Sequence, residues 1–136
     1  MPAPVDLLKH VPLFARVDDR AMKLLAATFT ERSFKEGTQL TTEGQGAAGF
    51  FVIESGTALV SVDGVERRSL GPGDYYGEIA LVDGGLRTAT IMATSDGKAY
   101  GLTAWQFRPL VEEHTTIAWP LLEALAARIR QIEASN

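Results

Sequence analysis

Between Glu31 and Thr103 the chain is punctuated at short, even intervals. Turn signals fall at Glu36-Gly37, Gly44, Gly56, Asp63-Gly64, Gly71-Pro72-Gly73, Gly84-Gly85 and Asp96-Gly97. The runs between them are short and rich in Val, Thr, Phe and Ile, residues that fit a pleated, half-buried surface. Strands spaced this closely point to a sandwich or a jelly roll. The clearest hairpin joins Ala58–Val62 to Val65–Leu70 through Asp63-Gly64, because a type I′ turn needs positive φ at both central residues. Helical patterns flank this block. Val5 to His10 reads as a short helix broken by Pro12-Leu13-Phe14. Asp18 is placed to cap a second helix carrying Ala21, Leu24, Leu25 and Thr28 at i, i+3, i+4, i+7. After Thr103 the period is helical again, through Trp105–His114 and then from Thr116 or Pro120 to about Ala134. Trp105 and Trp119 are expected to pack within these helices.

A chain of 136 residues suits one domain, burying roughly 68% of its unfolded surface. The expected division is residues 1–29 for N-terminal helices, 30–103 for the strands and 104–136 for C-terminal helices, with no internal repeat or linker. Apolar residues make up 46% of the chain, a globular rather than a disordered composition. No apolar run approaches the ~20 residues of a membrane span, and the N-terminus lacks a basic-then-apolar leader pattern. The absence of cysteine excludes disulfides and thiolate metal sites, and it fits a reducing, cytoplasmic setting. A net charge of −4 argues against direct, sequence-independent nucleic-acid binding. It does not argue against a small anion held by one local cation.

The segment Gly77-Glu78-Ile79-Ala80-Leu81-Val82-Asp83-Gly84-Gly85-Leu86-Arg87-Thr88-Ala89-Thr90 interrupts the β pattern and carries the chemistry. A helical turn is expected at Glu78–Leu81, inside an excursion longer than a hairpin needs. Arg87 offers a planar fork of donors matched to phosphate oxygens and keeps its charge at any working pH. The small residues Ala80, Thr88 and Ala89 let backbone N–H groups approach the same anion. Glu78 presents only acceptors, which suits a hydroxyl pair and repels a second phosphate. Taken singly, Glu78 is equally a surface cap and Arg87 an ordinary strand arginine. Taken together they describe a site for one phosphate charge and one sugar, as in a cyclic mononucleotide.

These residues resemble the phosphate-binding cassette of the cyclic nucleotide-binding domain family, which includes catabolite activator proteins, protein kinase A regulatory subunits and cyclic nucleotide-gated channels. The family pattern Gly-Glu-x-Ala-Leu followed by Arg-(Ser/Thr/Ala)-Ala is matched by Gly77–Leu81 and Arg87-Thr88-Ala89, with the kinase-type spacing. Phe50-Phe51-Val52-Ile53-Glu54-Ser55-Gly56 and Leu70-Gly71-Pro72-Gly73-Asp74 resemble the strand and the lead-in that flank the cassette. The resemblance spans most of the chain, from about Leu8 to the last helix. It implies a mainly β fold: a β-roll of the double-stranded β-helix or jelly-roll kind, with N-terminal helices and C-terminal lid helices. It assigns Glu78 to the ribose 2′-hydroxyl and Arg87 to the cyclic phosphate. Backbone amides near Ala80 and Thr88 go to the exocyclic oxygens, and Gly77, Ile79 and Ala89 complete the set. Thr88 bears on the base: cGMP-tolerant relatives often carry Thr here, yet bacterial activators with Ser or Thr still respond to cAMP. The expected ligand is therefore cAMP, with cGMP left open. One departure stands out at Gln45-Gly46-Ala47-Ala48-Gly49. Kinase subunits place an acid at the position of Ala48 that braces the phosphate arginine, and alanine cannot supply that relay.

The last helix is the second functional feature. Ala118, Leu122, Leu125, Ile129 and Ile132 form a narrow a/d-type seam, which can pack on the chain's own core, cover a ligand or pair two chains. The resemblance places a mobile apolar lid here, making Val62, Leu125, Arg128 and Ile129 candidate base contacts. Arg128 can stack on a purine, although Arg128 and Arg130 equally suit a solvated face.

Catalytic patterns are missing. His10 and His114 lie in different helices and leave a metal-binding roll without ligands. There is no P-loop, and Ser55, Ser61 and Ser69 lack a histidine and acid in support. The expectation is a stand-alone, non-enzymatic cyclic nucleotide sensor with no cofactor or metal, an unidentified protein effector, and a monomeric or C-terminal-helix homodimeric state. Two alternatives stay open. One is the sensing half of a transcription regulator or other larger protein, whose helix-turn-helix would have to follow the last helix. The other is a degenerate interaction domain that binds no nucleotide.

Overall fold

The computed structural model describes residues 3–41, 49–83 and 89–135. The chain runs through helix α1 (Val5–Lys9), a 3-10 turn at Pro12–Phe14 and helix α2 (Asp19–Thr28) into eight strands. These are β1 (Thr30–Phe34), β2 (Gln39–Thr41), β3 (Gly49–Ser55), β4 (Ala58–Val62), β5 (Val65–Leu70), β6 (Tyr75–Tyr76), β7 (Thr90–Ala93) and β8 (Gly97–Thr103). Helix α3 (Glu78–Asp83) lies between β6 and β7, while α4 (Ala104–Glu113) and α5 (Thr115–Ala134) follow β8. The strands form two four-stranded antiparallel sheets, β1-β8-β3-β6 and β2-β7-β4-β5. This is the β-roll the resemblance implied.

The run Phe50-Phe51-Val52-Ile53 in β3 shows how the layers are built. Successive strand side chains point to opposite faces, so a strand buried on both faces must be apolar throughout. Phe50 and Val52 face the helices, in a cluster with Phe14, Leu25, Phe29, Leu102, Phe107 and Ile117. Ile53 and Phe51 face the roll interior, with Val60, Leu70, Ala89 and Ile91. Phe50 meets Phe14 and Phe29 edge-on, with ring centroids 5.8 and 5.9 Å apart, the arrangement favoured by the ring quadrupoles. The first sheet is thus the shared wall between roll and helices.

The hairpin falls where the sequence places it, with β4 and β5 paired from Val62↔Val65 to Ala58↔Leu70 and φ of +52° at Asp63 and +76° at Gly64. Asp18 caps α2, its Oδ1 accepting from the Ala21 N–H at 2.8 Å. Replacing Asp18 by alanine is expected to cost about 1 kcal/mol of folding stability, read as a lower urea midpoint with unchanged slope. An unchanged midpoint would show that the cap is energetically idle.

Four expectations need correction. In α2 the buried face is Ala21, Met22, Leu25 and Ala26, whereas Leu24 is exposed; at about 100° per residue, Leu24 sits on the far side of that face. Helix α5 begins at Thr115, not at Thr116 or Pro120, and Pro120 lies inside it. Pro120 forfeits one helical hydrogen bond, and buried Ile117 and Leu121 on either side pin the turn. Trp105 and Trp119 are not packing residues, being 76% and 66% exposed. Helix α4 docks through Phe107, Leu110 and Val111, and Trp105 lies on the opposite face. Finally, the α5 seam meets the chain's own core only at its edge, through half-buried Leu125. The docked residues are Ile117, Leu121 and Leu125, about 60° around the helix from the seam, so Leu122, Ile129 and Ile132 are exposed.

Candidate functional site

The lead-in to the cassette is a set of backbone constraints. Asp74 Oδ2 accepts from the Gly71 N–H at 2.8 Å, closing the Gly71–Asp74 turn. β6 then pairs with β3, Phe51 opposite Tyr76 and Val52 opposite Tyr75. Tyr75 packs on the helix-side cluster and Tyr76 on the roll cluster, as alternation requires. Gly77 turns the chain with φ of +93°, a conformation open to glycine at little cost. Its carbonyl accepts from the Ala80 N–H at 3.1 Å, and α3 starts at the next residue. Leu81 is 3% exposed and anchors α3 to the helix-side core.

That anchoring sets the position of Glu78. Its side chain is 10% exposed and takes a 2.8 Å hydrogen bond and ion pair at Oε1 from Arg128 Nη1 on α5. A carboxylate this deep would be costly without a cation. The local field reaches Tyr75, whose phenol is pushed up first by burial and then by the Glu78 charge, with Arg128 pulling the other way.

On the far side of the cassette, Ala89 is 2% exposed in the roll cluster. Its carbonyl accepts from the hydroxyl of buried Thr41 at 3.0 Å, which ties β2 to the cassette exit. Val62, half-buried, packs on the same cluster.

The sequence-derived residues therefore divide into groups. Glu78 and Arg128 are brought into contact. Leu125 packs, half-buried, on the cluster that holds Leu81. Val62 and Ala89 share the roll interior. Ile129 is 57% exposed. Gly77 and Ala80 are half-buried at the start of α3. Arg87, Thr88, Ala48 and the side chain of Ile79 lie outside the described residues. Thr41 and the Glu78–Arg128 contact were not anticipated. Thr41 had a weak sign in the sequence, a hydroxyl ending a strand just before a turn; the ion pair had none.

A cavity of about 280 Å³ opens between β1, β2, β3 and β8, beside Arg32, Leu40, Phe51 and Gly101. Among the described residues its walls do not include Glu78, Val62 or Ala89. Among the described residues no three metal-ligating side chains cluster, and no helix is long and apolar enough to cross a membrane.

The family model described as the cyclic nucleotide-binding domain matches residues 31–114, well over half of the chain and all of the roll but its first residue. The chain belongs to the cyclic nucleotide-binding domain family. Among its relatives is a cAMP-dependent protein kinase regulatory subunit of Yarrowia lipolytica, 31% identical over 108 residues, covering 79% of this chain and 29% of that protein. The solved N-terminal domain of a transcriptional regulator from Streptomyces coelicolor A3(2) superposes with a TM-score of 0.85 at 32% identity, covering 93% of this chain and 94% of that one. A structure described as cAMP-bound PfPKA-R superposes with a TM-score of 0.73 at 25% identity, covering 96% of this chain and 44% of that one. The chain spans less than a third of the length of the kinase subunit it matches.

Proposed function

We propose that this cyclic nucleotide-binding domain is a non-catalytic sensor that takes cAMP as its preferred ligand and transmits occupancy through α5. The observation that carries the reading is Glu78. A nearly buried carboxylate sits on the first residue of α3, directly after a positive-φ glycine, where the family's ribose-binding glutamate is expected. In this reading Glu78 accepts from the ribose 2′-hydroxyl, while Arg87 and the backbone amides near Ala80 and Thr88 hold the cyclic phosphate. Glu78 has no donor to offer a phosphate, so the site favours a single anionic group with a free hydroxyl beside it. The relative described as cAMP-bound supports cAMP as the first choice. The cysteine-free composition suits action in the reducing cytoplasm. The effector is a protein, reached through the exposed surface of α5.

A second reading is the ligand-sensing half of a transcription regulator. It is favoured by the domain from Streptomyces coelicolor, which matches this chain almost end to end. In that setting the exposed Leu122, Ile129 and Ile132 would be covered by a second copy, and the output would be borne by a segment outside this chain.

Calorimetric titration with cAMP and cGMP at physiological salt tests the first reading. cAMP is expected to bind more tightly by a modest margin. A tenfold preference for cGMP, about 1.4 kcal/mol, would reverse the choice of ligand. Failure of both nucleotides to bind would leave only an interaction domain.

A further inference from the structure

We propose that the cavity beside β1, β2, β3 and β8 is a small-molecule site of its own, and that it takes a monocarboxylate with a flat apolar body. Neither Arg32 nor Gly101, on which the site is built, belongs to the cyclic nucleotide reading above, so the two stand or fall separately. At about 280 Å³ the cavity lies just under the ~300–1,000 Å³ usual for ligand pockets, which limits the ligand to one ring or a short chain.

Gly101 is a glycine that the sheet does not need. It lies inside β8, a strand paired on both sides, with Thr30 of β1 and Phe51 of β3 opposite it. Glycine weakens a strand interior, and where it is found there it marks a bulge, a bend or the close approach of another group. The register is regular past Gly101, since the only shift in the β3–β8 pairing falls between Ile53 and Ser55. Its φ is not among the positive ones. A Cβ at Gly101 would find nothing nearer than the Phe50 carbonyl oxygen at 3.7 Å and Arg32 Nε at 3.9 Å. Gly49 and Gly97 differ, because a Cβ on either would collide with a carbonyl oxygen, that of Leu102 or of Ser55. What the bare backbone of Gly101 leaves open is the cavity, beneath the Arg32 side chain.

Arg32 is a cation without a counter-charge. Phe34 and Ala99 pack together inside the roll with Leu40. Strand side chains alternate, so Thr30 and Arg32 share the inner face of β1 with Phe34, and all three line the cavity. Among the described residues Arg32 makes no hydrogen bond or ion pair, and no other charged side chain is on the cavity walls. The charges on the other face of these strands are matched, with Lys98 Nζ 2.9 Å from Glu31 and 3.4 Å from Glu54. An inward-turned charge on an edge strand also discourages pairing with another chain, but that task needs no bare Gly101 beside it. The ligand follows from the walls. One guanidinium balances one negative charge and offers a fork matched to a carboxylate, whereas a phosphate dianion would keep a charge unmatched. Leu40, Phe51 and Ala99 supply apolar surface, and the strip over Gly101 suits a flat group.

Amide chemical-shift titration of the full chain, without nucleotide, tests the site with cinnamate and its neutral counterpart cinnamamide as probes. Cinnamate is expected to bind with a dissociation constant on the order of 1 mM, given its few atoms, and to shift the amides of Arg32, Leu40, Phe51 and Gly101. Cinnamamide should bind about tenfold more weakly, the worth of one charge-assisted hydrogen bond. Arg32→Gln should bring cinnamate down to the level of cinnamamide and leave cinnamamide unchanged, with Arg32→Lys restoring part of the difference. Gly101→Val, which fills the space, should remove both probes. Gly101→Ala should hold or raise the melting temperature, because a strand glycine is lost where a Cβ has room; a clear drop would show that the glycine serves the sheet and would take away the case for a ligand. No shift at several times the expected dissociation constant, or equal affinity for the two probes, would overturn the proposal. So would shifts centred on residues 77–90, which would send the anion to the cassette. Self-association of Arg32→Gln with unchanged cinnamate binding would leave Arg32 only its edge-guarding role.

Discussion

Gly56→Ala is expected to destabilise the domain by about 2–4 kcal/mol, with a melting temperature lower by roughly 10 °C. Two costs add. The native φ is +87°, a region where an L side chain costs about 1–2 kcal/mol. An added Cβ would also stand 2.6 Å from the Asp96 carbonyl oxygen and 2.8 Å from Gly97 Cα, and both neighbours are backbone that cannot swing aside. This is where the two sheets join at one end of the roll. The Thr57 hydroxyl bonds that of Thr94 at 2.7 Å, the Thr57 N–H donates to Ser95 Oγ at 3.0 Å, and Asp96 Oδ1 accepts from the Glu36 N–H at 2.9 Å. Since a domain is stable by only about 5–15 kcal/mol, the loss is a sizeable fraction of the whole. Thermal and urea unfolding measure it. A melting point within two or so degrees of wild type, well inside the usual spread for one kcal/mol, would show that the corner yields.

What the sequence disclosed and what it hid have a common physical basis. Features set by neighbours in the chain were readable. Asp63-Gly64 specifies its own turn, Asp18 caps the helix that begins beside it, and the apolar run of β3 was identified by its resemblance to a family strand. The capping box of α4, in which Thr103 Oγ1 accepts from the Gln106 N–H at 3.2 Å and Gln106 Oε1 from the Thr103 N–H at 3.0 Å, was equally local and written in Thr103-Ala104-Trp105-Gln106. Features set by distant packing were hidden. Which face of α2 or α5 docks depends on the shape of the core it meets, so Leu24 and the α5 seam misled, and the two tryptophans looked internal because they are large and apolar. The partner of Glu78 is fifty residues away in the sequence. Nothing local marks Arg128 among the arginines of that helix. The cassette glutamate was legible as a motif, while its electrostatic setting required the fold.

In the proposed site the largest expected effect on binding is that of Arg87. Arg87→Ala is expected to weaken cAMP binding by about 2–5 kcal/mol, the usual loss on truncating one member of a hydrogen-bonded charge pair. At 1.4 kcal/mol per decade, that is roughly thirtyfold to several thousandfold in the dissociation constant. The reasoning separates charge from shape. A guanidinium supplies a flat fork that meets two phosphate oxygens at once, whereas an ammonium supplies the charge alone. Arg87→Lys should therefore recover part of the loss and no more. On the proposed assignment phosphate and sugar are held by different side chains, so Arg87→Ala should weaken cAMP and 2′-deoxy-cAMP by similar factors and leave their ratio intact. Glu78→Ala should do the reverse, erasing discrimination against 2′-deoxy-cAMP while leaving the phosphate contribution in place. Calorimetry on the two variants with the two nucleotides measures both effects. An Arg87→Ala chain that binds cAMP as wild type does would remove Arg87 from the site, and with it the reason to read residues 77–89 as a phosphate cradle.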